Sequence, residues 1–161
     1  MAPWVGPMIQ EDAARLLELN RQVKTMEGEI ARVSSAVARR LRSMPGFGPI
    51  CSAELTGEIG TIKRFRGEGS LALYLGMANL DRNSGTMRGS KAPKHVNKRA
   101  KAAMMTAVDR HRKQVPQSQC YYENKRAEGK THNQAIRALG RHLCRVTFKM
   151  LKMDRPYRIE P

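Results

Sequence analysis

The sequence predicts a mostly α fold: an N-terminal heptad-patterned, coiled-coil helix followed by a compact helical domain containing a helix-hairpin-helix. Three observations carry that prediction. Apolar residues recur every seven positions through the first forty residues. A Pro-Gly-Phe-Gly-Pro turn then separates two helical patterns. Finally, His132 to Lys152 places Ile136, Leu139, Leu143, Val146, Met150 and Leu151 at helical spacing. The expected organisation is an irregular start and coiled-coil arm over 1–43, a helix-hairpin-helix domain over 44–152 and an irregular tail over 153–161.

The arm comes first. Met1 to Pro7 holds two prolines and a glycine and reads as irregular. From Glu11 to Arg42 there is no proline and one glycine, Gly28, so one long helix is expected. Ile9, Leu16, Val23, Ile30 and Val37 form one seam; Leu19, Met26 and Val33 fill the alternate one. A two-position stripe this narrow favours pairing with another helix over packing on the chain's own core. β-Branched residues at most of the first seam lean toward two strands, and hence toward a homo-oligomer joined through the coiled coil.

The hairpin follows. In Ser43-Met-Pro-Gly-Phe-Gly-Pro-Ile-Cys-Ser-Ala53, Gly46 and Gly48 allow a sharp turn, and Pro49 suits the first turn of the next helix, where a missing N–H costs nothing. The free N–H groups and dipole at such a helix start attract a phosphate. Gly46 and Gly48 are therefore candidate nucleic-acid contacts made through the backbone. The alternative is a plain helical turn without a ligand.

Charge points the same way. The chain carries 30 Lys+Arg against 14 Asp+Glu, formally +16 at pH 7. A balance this basic most often meets a polyanion. The excess is concentrated: Lys63, Arg64 and Arg66 open a cationic stretch, and Arg82, Arg88, Lys91, Lys94, Lys98, Arg99 and Lys101 lie within twenty residues, opposed only by Asp81. The stretch Leu75 to Lys101 reads as a polar, turn-rich loop around Ser84-Gly85, after a short apolar helix or strand, Ser70 to Gly76. Asn-Ser-Gly is ordinary turn chemistry, and there is no Ser-His-Asp pattern or Gly-x-Ser-x-Gly elbow. By itself, Ser84 reads more often as a structural turn residue than as a hydroxyl carried to a phosphate.

Other chemistries find little support. No run of about 18 apolar residues marks a membrane span, and no basic and apolar leader is visible. Cys51, Cys120 and Cys144 are odd in number and widely spaced, which disfavours a disulfide framework or zinc knuckle. All three read as buried small apolar residues in a reducing cytoplasm. His95, His111, His132 and His142 lack ligand spacing and read as surface or phosphate-facing. Tyr121 and Tyr122 read as packing or nucleic-acid contacts. Glu11 and Asp12 are isolated on a helix, so no metal site is expected.

From Leu41 to Leu151 the chain resembles a known family. The order Pro-Gly-Phe-Gly-Pro, Ala-x-Leu-x-x-Glu-Ile-Gly, Ile-x-Arg-Phe, Ser-Leu-Ala-x-Tyr-Leu-Gly-Met, Ser-Gly, Arg-Gly and Lys-x-x-Asn-Lys-Arg is similar to the C-terminal domain of the bridge-RNA-guided DEDD insertion-sequence transposases, whose relatives include pilin-gene invertases. The resemblance implies that Ser84 is the nucleophile, attacking a DNA phosphodiester to form a transient phosphoserine link. It places Arg88, Lys94 and Asn97 in the basic motif that follows. It implies DNA and a guide (bridge) RNA as partners in a bacterial, nucleoid-associated protein. Mg²⁺ is expected on a separate RuvC-like domain with four acidic ligands; this chain is expected to bind no cofactor and to be the C-terminal portion of a longer recombinase. A non-enzymatic helix-hairpin-helix binding module is the alternative reading. A protein-interaction module working through the arm is a third, disfavoured by the basic loop.

Overall fold

The structure, a computed structural model, describes residues 5–158; Gly85, Thr86 and Ala92 lie outside that description, and residues 81–91 are otherwise described by backbone alone. The chain divides into two compact units, Met1–Val33 and Ser34–Pro161.

The first unit is one helix, α1 (Val5–Val33). It begins earlier than the prolines led us to expect, because Pro7 falls in the first turn, where no N–H is required. None of its described residues is buried, and Ile9, Leu16, Leu19, Val23, Met26 and Val33 stand exposed along both seams. The helix expected to run unbroken to Arg42 stops at Val33. Ser35 adopts an extended conformation, its hydroxyl accepts from Ala38 N (3.2 Å), and a second helix, α2 (Ala36–Arg42), starts there. Serine is a strong N-cap residue, and its local hydrogen bond ends one helix by opening the next.

The second unit is mostly α. After α2 come α3 (Pro49–Ile59), a 3₁₀ turn (Ile62–Arg64), α4 (Glu68–Tyr74), two short strands, β1 (Leu80–Ser84) and β2 (Met87–Lys91), then α5 (Lys98–Gln114), α6 (Pro116–Ala127) and α7 (His132–Lys152). The segment 70–76, open between helix and strand from sequence, lies in α4 and its C-terminal turn. α7 matches its sequence-predicted bounds. Its start is a capping box: the Thr131 hydroxyl accepts from Gln134 N, and Gln134 Oε1 accepts from Thr131 N.

The core is aliphatic. Leu41, Met44, Phe47, Leu55, Leu71, Leu75, Met104, Val108, Ile136 and Leu143 pack in one cluster joining α2, α3, α4, α5 and α7. α5 and α7 each bury one face along their length: Ala100, Met104, Ala107, Val108 and His111 line that face of α5. His111 is thus not on the surface, as read from sequence, but 1% exposed. It continues the apolar stripe, and its Nδ1 pairs with Pro45 O at 2.7 Å. Burial pushes its pKa below the usual histidine value, so the neutral ring, donating from Nδ1, is the favoured state. Two cysteines are buried as expected, but Cys120 is exposed, because α6 contributes no fully buried residue.

Gly46 lies against the backbone of α5. Its φ is +82°, and a Cβ there would stand 2.3 Å from His111 N and 2.8 Å from Ala107 O. No side chain fits. Gly48, by contrast, has φ −65°, and its nearest neighbour to a Cβ is the Arg110 guanidinium at 3.7 Å. The two glycines of the motif therefore do different work. Among the described residues no helix is long and apolar enough to cross a membrane.

Two outcomes are expected. Gly46→Ala loses about 3 kcal/mol of stability, from left-handed backbone strain plus overpacking against α5, whereas Gly48→Ala loses under about 1 kcal/mol; urea unfolding of the two variants against the parent chain checks this. In thiol titration with a chromogenic disulfide, Cys120 reacts in the folded protein. Cys144, whose thiol burial raises to about 12, and Cys51, also raised by burial, react only after unfolding. Rapid reaction of two or more thiols in native protein would contradict this packing.

Candidate nucleic-acid interface

Two places carry the residues singled out from sequence, and α5 links them. The first is the hairpin turn. Phe47 N donates to Met44 O (3.1 Å), and Ser52 Oγ donates to Phe47 O (3.1 Å), closing the turn from both sides. Ser52 N makes the first bond of α3, to Gly48 O (3.0 Å). The N–H groups of Ile50 and Cys51 precede that bond and point out of the helix start. A cavity at this turn is lined by Arg42, Gly46, Gly48, Pro49, Arg110 and Gln114, among others.

Arg110 is the informative member. It lies beside Gly48, and its charge acts on the Cys51 thiol, opposing the upward shift caused by burial. The guanidinium therefore faces the positive end of α3. A cation set against a helix N-terminus is electrostatically unfavourable unless an anion comes between them. The neighbouring Asp109 is occupied by Arg112 (2.6 Å) and Lys113 (2.7 Å). Arg42 and Arg110 make no ion pair among the described residues. Neither was singled out from sequence: Arg110 reaches the turn only because Gly46 brings α5 against it, 64 residues away along the chain.

The second place is the base of the β1–β2 pair. The strands are antiparallel, with Leu80 opposite Lys91, Arg82 opposite Gly89, Asn83 opposite Arg88 and Ser84 opposite Met87. Ser84 is thus the last residue of β1, at the far end of a strand pair and not within the irregular loop expected from sequence. The reason for the difference is compositional: Asp81-Arg-Asn-Ser84 and Arg88-Gly-Ser-Lys91 lack the alternating apolar, β-branched pattern by which strands are recognised. The side chains of Ser84, Arg82, Arg88 and Lys91 lie outside the described residues.

The root of this strand pair is tied by one residue, Asn97. Its backbone N donates to Tyr74 O (3.0 Å) and its Oδ1 caps α5 by accepting from Ala100 N (2.9 Å). Its Nδ2 donates to Glu58 Oε2 (2.5 Å) and to Tyr74 Oη (2.7 Å), and Tyr74 Oη in turn donates to Glu58 O (2.8 Å). The chain entering β1 and the chain leaving β2 are thereby held together against α3. Gly76, with φ +66°, packs where a Cβ would meet Val96 and Lys101 side chains at 2.8 Å. Glu58 and Tyr74 were not singled out from sequence either; the only local signal was Asn97 itself, an asparagine just ahead of a helical pattern.

The remaining candidates sort by partner. Arg99 pairs with Glu54 (2.7 Å) and Glu58 (3.2 Å), and the Arg64 guanidinium lies over the Tyr74 ring at 4.9 Å and Phe65 at 5.1 Å. These two cations brace α3 and α4. Lys63, Arg66, Lys94 and Lys98 are exposed and make no ion pair among the described residues. Tyr121 and Tyr122 pack partly against the core, with Oη atoms on His142 Nε2 (3.1 Å) and His132 Nδ1 (2.8 Å). Among the described residues no three His, Cys, Asp or Glu side chains gather to hold a metal ion.

Residues 38–123, which contain both places, match the model of the Transposase IS116/IS110/IS902 family. Over 143 residues the chain is 34% identical to the insertion element IS110 uncharacterized 43.6 kDa protein of Streptomyces coelicolor, covering 87% of this chain and 35% of that protein. It is 30% identical over 152 residues to the insertion element IS116 uncharacterized 44.8 kDa protein of Streptomyces clavuligerus, covering 92% and 38%. It is 34% identical over 159 residues to the insertion element IS900 uncharacterized 42 kDa protein of Mycobacterium paratuberculosis, covering 92% and 40%. The chain thus spans 35% to 40% of the length of these relatives. With the hairpin turn, the strand pair and the clamp between them all inside or beside the matched region, this chain belongs to the IS116/IS110/IS902 family of transposases.

Proposed function

We propose that this chain is the C-terminal part of a DNA transposase that cuts and rejoins DNA through Ser84, guided by a structured RNA. The observation that carries the reading is the placement of Ser84 at the far end of a strand pair whose root is clamped by Asn97, Tyr74 and Glu58. A serine so placed projects from a braced scaffold to a backbone that the rest of the unit grips. In this reading the Ser84 hydroxyl loses its proton and attacks phosphorus. A deoxyribose oxygen leaves, and a phosphoserine ester forms. Attack by an incoming strand's hydroxyl reverses the exchange, releasing serine. Each exchange makes one ester for each one broken, so no nucleotide triphosphate is needed.

The helix-hairpin-helix turn is the grip. A backbone phosphate sits against Ile50 and Cys51 N–H, with Arg110 and Arg42 closing over it, which resolves the opposed positive charges at the start of α3. Lys63, Arg66, Lys94 and Lys98, with Arg82, Arg88 and Lys91, extend the cationic track. The exposed seams of α1 pair protomers as a coiled coil. Among the described residues no acidic cluster forms; in this reading Mg²⁺ takes its ligands from a separate domain.

A second reading, a binding module without chemistry, is favoured by one observation: the Arg42–Arg110 turn is complete without any part of the Ser84 strand pair. Two experiments separate the readings. In a full-length transposase carrying this domain, Ser84→Ala keeps nucleic-acid binding but abolishes the covalent protein–DNA adduct; an adduct that persists removes Ser84 from the reaction. For the grip, Arg110→Gln weakens duplex binding and lowers the slope of log K against log salt by about one, the signature of one lost phosphate contact. An unchanged slope would place the phosphate elsewhere.

A further inference from the structure

A second cavity lies at the junction of α5, α6 and α7. It occupies about 420 Å³ between the end of α5, the start of α6, α7 and the C-terminal segment. Its floor is aliphatic, with Leu139, Leu143, Val146 and Met150 from α7 and Val115 from the α5–α6 junction. Its rim is cationic, with Lys149, Arg155 and Arg158, and His142 beside them. Among the described residues no acidic side chain lines it. Asp154, next to Arg155 in the chain, is held by Arg40 Nη1 at 2.5 Å. The side chains of Lys149 and Arg158 are exposed and make no ion pair among the described residues.

The wall is anchored. Tyr157 N donates to Ser43 Oγ (2.7 Å), and its ring stands edge-on to His111 at 6.2 Å. Arg155 N donates to Met150 O (3.1 Å). The C-terminal segment is thus pinned at both sides of the cavity, which is a feature of the fold and not a gap under a loose end. The volume is in the range that small-ligand sites occupy.

An aliphatic floor under a rim that is cationic among the described residues matches a flat apolar body that carries an anion. In a chain of +16 net charge that belongs to a transposase family, a nucleotide has that chemistry. A base-paired duplex does not, because its base faces are stacked away and only its phosphates are offered. We propose that this cavity binds one unpaired nucleotide of a single-stranded nucleic acid, its base on Leu143 and Val146 and its phosphate on Lys149 and Arg158. Sequence-tolerant contact of this kind, a base face on apolar or aromatic side chains and a phosphate on cations, is the usual mode for single strands. The proposal rests on the nucleic-acid reading above for the class of polyanion, but not on Ser84 or on the Arg110 turn.

The test uses the 161-residue chain with fluorescent oligothymidylate and oligouridylate, a duplex of matched length, and a 5-iodouracil oligonucleotide for photocrosslinking. Lys149→Glu with Arg158→Glu, both exposed positions, is expected to weaken single-strand binding about tenfold and duplex binding no more than about twofold. The charge-matched control, Lys24→Glu with Arg32→Glu on α1, leaves the single-strand preference unchanged. Crosslinks are expected on Tyr157 or His142. Equal losses for single strand and duplex, no loss at all, or crosslinks confined to other elements would overturn the proposal. Duplex binding without single-strand binding by the parent chain overturns it while leaving the Arg110 turn standing; failure of both forms to bind overturns both. An acidic peptide, poly(Glu,Tyr), that binds through Lys149 and Arg158 where the oligonucleotides do not would assign the cavity to a protein partner and overturn it as well.

Discussion

The contact on which the second unit depends is the approach of Gly46 to α5. The backbone of the hairpin turn lies on the backbone of His111 and Ala107, closer than any side chain permits, and the buried His111 ring fastens it through Pro45 O. That one contact sets the start of α3 beside Arg110. It also puts the first buried turn of α3 over the stripe of Met104, Ala107 and Val108. Without it, the motif's second glycine would be a helix start with no cation opposite.

α5 joins the hairpin turn to the root of the strand pair. His111 fastens the hairpin turn near its C-terminal end and Asn97 caps its N-terminus. Fourteen residues separate them, about 21 Å of helix at 1.5 Å per residue. Packed on α3 and α7, this helix joins the root of the Ser84 strand pair to the hairpin turn. Placement of this kind contributes to catalysis by orienting groups before they react, and small misplacements are costly. The polar knot of Asn97, Tyr74 and Glu58 is suited to the job. Every member of this half-buried network is satisfied by another, and a satisfied network is rigid where a partly satisfied one is not.

The charges divide along the same line. The dense cationic stretch reads in sequence as a single feature, yet its members have separate roles. Arg64 and Arg99 are spent inside the domain, on a pair of rings and a pair of carboxylates. Lys63, Arg66, Lys94 and Lys98 remain open to solvent. Meanwhile Arg42, Arg110, Lys149 and Arg158, scattered through the chain, line concavities. Density along the chain is thus a poor guide to density in space, because a folded surface collects cations from elements far apart in sequence.

By itself the sequence determined the features that follow from local periodicity and local backbone chemistry. α7 is legible to the residue, because its apolar positions, capping box and flanking turn all agree. The mostly α class, the Pro-Gly-Phe-Gly-Pro turn and the seams of α1 are legible for the same reason. The break at Ser34–Ser35 was not, since a serine serves a helix interior or a cap, and only the packing of α2 on α3 and α7 decides which. Nor was the strand pair bearing Ser84, where polar residues with no alternation are paired by their backbones alone. Tertiary structure also decided that His111 is core, that Asn97 is a clamp, and that Arg110 completes the turn. Each of those roles is defined by a partner 23 to 66 residues away, and no local pattern encodes a partner at that distance.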